Sequence, residues 1–168
     1  MRALVVYESM FGNTRQVATA IADGMADGAD VSITDVADAP ARVPDDVDLL
    51  VVGGPTHAFS MSRPPTRQDA VRQGGAAISD VATGIREWLQ DLPAPSTACT
   101  FAAFDTRVDM PLLPGAASRA ASRVAKKLGF TMLEPVSFLV HGYQGPLVDG
   151  QLERARTWGH DLTERLAG

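Results

Sequence analysis

The residues best placed to do chemistry are Tyr7-Glu8-Ser9-Met10-Phe11-Gly12-Asn13-Thr14. They follow the apolar run Ala3–Val6 and lead into a helical pattern that sets Val17, Ala18 and Ile21 on one face. The first N–H groups of a helix have no partner within it, and the helix dipole adds partial positive charge, so a loop in this position favours an anion. Ser9, Asn13 and Thr14 are short polar donors, and Gly12 permits a positive φ or close approach to a ligand. The loop lacks both a Lys followed by Ser or Thr and a Gly-x-Gly-x-x-Gly, so it suits one phosphate held without a cation. An ordinary strand-to-helix turn capped by Asn13 or Thr14 fits the same residues.

Positioning such a loop needs a sheet behind it, and the chain supplies one. A helix over 13–27 stopping near Gly28, then alternating Val31–Val36, gives a first β-α-β unit. The apolar run Asp48–Gly54 suits a strand buried on both faces of a parallel sheet, and it ends in the loop Gly53-Gly54-Pro55-Thr56-His57-Ala58-Phe59. Residues 60–78, with Pro64-Pro65 and a Gly74-Gly75 break that could separate two short helices, predict a long, partly mobile excursion that serves as a flap beside the site. Val81, Ile85, Trp88 and Leu89 at helical spacing precede a fourth strand near Ser96–Phe104, which ends in the loop Asp105-Thr106-Arg107-Val108-Asp109. A helix over 115–128, a strand over 131–140, the loop Gly142–Pro146 and a last helix with Leu152, Ala155, Trp158, Leu162 and Leu166 complete the chain. Five strands alternating with helices predict a single α/β domain over 1–168, a doubly wound five-stranded parallel sheet with helices on both faces.

The first loop resembles the FMN-phosphate loop of the flavodoxin family, which also ends in Gly-Asn-Thr directly after strand 1. Ser9, Gly12, Asn13 and Thr14 match, whereas Phe11 stands where many members carry another hydroxyl residue. Gly145-Pro146-Leu147 and Trp158-Gly159 also look like family sequence. The resemblance implies the strand order 2-1-3-4-5, in which the loops after strands 1, 3 and 4 converge. It implies that Ser9, Met10, Phe11, Gly12, Asn13 and Thr14 hold the FMN phosphate. Pro55, Thr56, His57, Ala58 and Phe59, together with Phe104, Asp105, Thr106 and Arg107, would flank the isoalloxazine.

A flat ring needs an apolar or aromatic neighbour, and Phe59, His57 and Phe104 are the candidates. Phe59 in an exposed loop favours ring contact. Phe104 reads equally as core packing at a strand end. His57 is either a hydrogen-bond partner or proton donor to the flavin, or a solvated histidine with no catalytic role. Asp105 is either an Asx-turn former or an acceptor for the ring's N–H groups. Typical family members cover the flavin with a tyrosine from the loop after strand 4; Asp105–Asp109 has no aromatic, so the excursion at 60–78 or a second subunit is expected to supply the cover. No glycine stands in Pro55–Met61, which predicts a costly positive φ there. His57, Arg63, Arg67 and Arg107 predict positive charge near the ring, favouring a reduced anionic flavin and two-electron chemistry.

Composition bounds the partners. The 168 residues carry a formal net charge of −5, which argues against non-specific nucleic-acid binding. One cysteine, Cys99, excludes an internal disulfide and reads as a small buried hydrophobe in a reducing, cytoplasmic setting. No run approaches the roughly 20 apolar residues of a membrane span. Neither the histidines nor Cys99 has metal-ligand spacing. A receiver domain of the same strand order needs paired acids after strand 1 and an Asp after strand 3, and Tyr7-Glu8-Ser9 and Gly53-Gly54-Pro55 supply neither. The leading expectation is an FMN-binding redox protein acting with a redox partner protein or a small acceptor such as a quinone. The alternative is a flavin-free domain of this fold acting as an interaction module. The sequence leaves the oligomeric state open.

Overall fold

Side chains along a strand point alternately to opposite faces, and that alternation sorts the core into two layers. A computed structural model of the chain describes residues 1–75 and 81–168. In chain order the elements are β1 (Arg2–Tyr7), α1 (Asn13–Met25), β2 (Asp30–Asp35), a 3-10 turn (Val36–Asp38), β3 (Leu49–His57), β4 (Ser60–Met61) and α2 (Pro64–Arg72). There follow α3 (Ile85–Asp91), β5 (Thr100–Val108), α4 (Ala117–Leu128), β6 (Thr131–Met132), β7 (Val136–Val140) and α5 (Gln151–Ala167). Ala3, Val5, Leu49, Val51, Ala102 and Phe104 face Val17 and Ile21 of α1 and Ala155 and Leu162 of α5. Leu4, Val6, Leu50, Val52, Phe101 and Ala103 face Ile85 and Leu89 of α3 and Ala117, Ala121 and Ala125 of α4. Each Val, Leu, Ile or Phe among them taken from water contributes about 1.5–3 kcal/mol.

The sheet runs β2-β1-β3-β5, with β6 and β7 both beside β5. These pairings are parallel, and the order is the expected 2-1-3-4-5. The last strand is split in two, and the gap holds Pro135, which has no N–H for a ladder bond. Gly53 is required beside Phe104, since a Cβ there would lie 2.0 Å from the phenyl ring.

Two expectations are corrected. First, the excursion expected over 60–78 is regular structure over much of 60–75: β4 pairs antiparallel with β3, and α2 follows. Arg67 of α2 is fully buried and holds the segment in place. Its guanidinium donates to the Ser62 hydroxyl at 2.9 Å, the Val81 carbonyl at 2.7 Å and Glu87 at 2.5 Å, and pairs with Glu8 at 3.8 Å. The remainder of that expected flap, 76–78, lies outside the described residues. Second, β5 continues through Val108, so the loop expected at 105–109 begins only at Asp109.

Candidate cofactor site

Gly12 takes φ 90° immediately before α1, a left-handed conformation in which a side chain is disfavoured. The turn aims the first N–H groups of α1 outward. Ser9 Oγ accepts from the N–H of Gly12 at 3.1 Å and of Arg15 at 3.2 Å, and the Gln16 N–H reaches the Gly12 carbonyl. Among the described residues, the N–H groups of Asn13 and Thr14 have no partner. These two donors at the positive end of a 13-residue helix form an anion cradle.

The side chains expected to assist have other tasks. The Asn13 amide donates to the Gln144 carbonyl at 2.9 Å, and the Gln144 amide donates to the Gln73 carbonyl at 3.0 Å. The loop after β7 is thereby strapped across the start of α1. The Thr14 hydroxyl, buried, lies 2.7 Å from that of Thr106 on β5. Glu8 turns away to the opposite side, where it accepts from Ser62 and from the Ile85 N–H; burial pushes its carboxyl up from the ordinary range.

Next to the cradle, Met10, Phe11, Thr14, Pro55, His57 and Thr106 line a narrow hollow of about 30 Å³. A second hollow of about 230 Å³ lies beyond it, walled by Phe59, Leu113, Pro114 and Gly115. Thr56, Arg107, Val108 and Tyr143 belong to both. Loops after strands 1, 3 and 4 therefore do converge, and the loop after β7 joins them.

His57 is buried against α2, with Nδ1 3.1 Å from the Thr66 hydroxyl. That hydroxyl donates its one proton to the Arg63 carbonyl, so His57 Nδ1 must be the donor and Nε2 the acceptor. Burial, with the Arg67 guanidinium beside it, lowers the imidazole pKa to about 4. At neutral pH His57 is therefore uncharged, and its burial removes the reading of it as a solvated histidine. Its ring stacks on Tyr143 at 5.7 Å, and Phe11 meets Tyr143 edge-on at 5.6 Å.

Two expected ring neighbours do not reach the cleft. Phe104 is fully buried and packs edge-on against Phe138 and Trp158, so its core reading holds. Asp105 is also fully buried, and its carboxylate caps a distant helix rather than shaping its own loop. Its Oδ2 accepts from the Ser118 N–H at 3.0 Å, capping α4 across the sheet, while Thr56 Oγ1 accepts from the Ala117 N–H. Burial raises the Asp105 carboxyl above its ordinary range, partly opposed by Ser118.

Ala58 and Phe59 form the two-residue turn between β3 and β4 with φ 46° and 68°, the pattern of a type I′ hairpin. The positive φ expected to be costly is already present at these two residues. Phe59 is 54% exposed at this tip. Of the arginines expected near the ring, only Arg107 lines the cleft, in both hollows. Arg67 is paired with acids, His57 is neutral, and Arg107 donates to the Leu113 carbonyl at 2.9 Å, bracing the loop before α4. Cys99 packs in the core on the α4 side, where burial pushes its thiol up to about 11. Tyr143, which sequence reasoning passed over, is the added aromatic of the site. Its only sequence signal is the glycine-rich context Gly142-Tyr143-Gln144-Gly145-Pro146.

Solved structures share this architecture. A flavodoxin from the domain Archaea matches at 21% identity, covering 100% of both chains with a TM-score of 0.67. The flavodoxin of Streptococcus pneumoniae TIGR4 matches at 17% identity and TM-score 0.67, over 98% of this chain and 99% of that one. A WrbA-like flavodoxin from Agrobacterium tumefaciens matches at 19% identity and TM-score 0.57, over 99% and 97%. The fold is flavodoxin-like. No protein-family model and no curated protein matches the chain. Among the described residues, no helix is long and apolar enough to cross a membrane.

Proposed function

We propose that this chain binds FMN and works as a redox protein, passing electrons to a partner protein or to a small acceptor such as a quinone. The observation that carries the reading is the pair of open N–H donors on Asn13 and Thr14, set by Gly12 at the start of α1. The cradle suits one terminal phosphate. The cleft beside it suits the rest of the molecule, because the second hollow is mostly apolar.

Bound flavin would supply the electron chemistry, and the protein supplies binding, orientation and shielding. Asn13 and Thr14 hold the phosphate, Phe59 shields the ring, and the His57 imidazole stays neutral at pH 7. A second glycine-rich turn for a pyrophosphate is missing from the sequence, so FMN is favoured over FAD.

Titration of the flavin-stripped protein with FMN, FAD and riboflavin tests this. Two charge-assisted hydrogen bonds at about 1.5–3 kcal/mol each predict FMN binding on the order of 100-fold or more tighter than riboflavin. Equal affinity for riboflavin and FMN would overturn the phosphate reading.

A further inference from the structure

Resting on the FMN reading, we infer that the flat ring is bound in the second hollow between Phe59 and Tyr143, so that the covering aromatic comes from the loop after β7 and not from the loop after β5. The hollow beside the phosphate cradle has only about 30 Å³, room for about two waters and too little for a ring. The second, at about 230 Å³, is the part of the cleft large enough for one. The two share Thr56, Arg107, Val108 and Tyr143, so a molecule anchored by its phosphate at Asn13 and Thr14 extends past Tyr143 to reach Phe59.

Tyr143 is built for this position. Its ring is backed by His57, stacked at 5.7 Å, and braced by the edge of Phe11, yet the residue stays 43% exposed. The loop that carries it is tied to the cradle itself, through Asn13 to the Gln144 carbonyl at 2.9 Å. Gly145 sits against the same Asn13 side chain, with a Cβ there reaching 2.5 Å from its amide nitrogen. The residue that opens α1, and so offers its N–H to the phosphate, thus also fixes the aromatic that covers the ring. Phe59, 54% exposed, lines the same hollow and offers a second apolar surface to a planar ligand that must be stacked and screened from water.

The test is a set of fluorescence titrations of flavin-stripped wild type, Tyr143→Ala and Tyr143→Phe with FMN and with lumiflavin, the ring alone. Circular dichroism confirms that each variant is folded. The expected result is a loss of at least tenfold in FMN affinity in Tyr143→Ala, with partial return of bound-flavin fluorescence, and near wild-type behaviour in Tyr143→Phe. Unchanged affinity and unchanged quenching in Tyr143→Ala would overturn the inference while leaving the FMN reading intact. Wild type that binds lumiflavin as well as FMN, with both lost in Tyr143→Ala, would remove the phosphate reading and keep the ring subsite. Wild type that binds neither would overturn both.

Discussion

The hydroxyls of Thr14 and Thr106 meet at 2.7 Å inside the protein, joining the first turn of α1 to the end of β5. The bond fixes the anion cradle relative to the strand that walls the cleft. Thr106→Val leaves the Thr14 hydroxyl buried without this partner, which costs about 1–3 kcal/mol. Adding Thr14→Val removes the orphaned group, so the double variant is expected to lose less than the sum of the single ones. Urea unfolding of the four members of the cycle checks it; strict additivity would mean that the two groups are not coupled.

Arg67 is the fixed point of the segment after β4. Its side chain is 1% exposed and faces Glu8 at 5% and Glu87 at 26%. Arg67→Met is expected to destabilise the protein by about 3–5 kcal/mol, because Glu8 is left buried beside a neutral side chain. Hydrogen exchange provides the second readout. The α2 amides should be protected in the wild type and exchange quickly in Arg67→Met, and fast exchange in both would show that the ion pairs do not hold the helix.

His57 gives stability a pH dependence of known sign. Its folded pKa of about 4 lies below the ordinary 6.5, so between those values the unfolded chain binds more protons. Its contribution is therefore complete above pH 6.5, is lost as the pH falls toward 4, and is constant below. The gap of roughly 2.5 units corresponds to about 3 kcal/mol. Glu8 and Asp105, both pushed up by burial, act in the opposite sense, each adding stability as it becomes protonated at lower pH. His57→Asn keeps a donor near Nδ1 and cannot titrate, so the difference in stability between wild type and variant isolates the histidine. A pH-independent difference from pH 4 to 7 would contradict the lowered pKa.

The strands and their order were legible because alternation such as Leu49-Leu50-Val51-Val52 serves two apolar layers at once. Gly12 was legible because so few residues tolerate φ 90°. What escaped the sequence depended on contacts between distant residues. Asp105 caps a helix that begins twelve residues later, a role with no local signature. The hairpin at Ala58-Phe59 lacks the Asn-Gly that would announce it. Arg67 sits where a charged residue is rarely buried, and Glu8, Ser62, Glu87 and the carbonyls of Val81 and Ala82 together make that tolerable. Tyr143 enters the cleft because Asn13, 131 positions from Gln144, pulls its loop inward.

The alternation at the end of β5 also decides which changes of chain length the protein can survive. Phe104 and Thr106 belong to the side of α1, and Asp105 between them belongs to the side of α4. Inserting or deleting one residue before Phe104 would exchange these assignments, putting a carboxylate into the apolar layer beneath α1 and a phenyl ring against the cap of α4. Substitution can adjust either face alone, but length cannot. At this end of β5 the place for a change of length is the connection after Asp109, whose Leu112 is fully exposed.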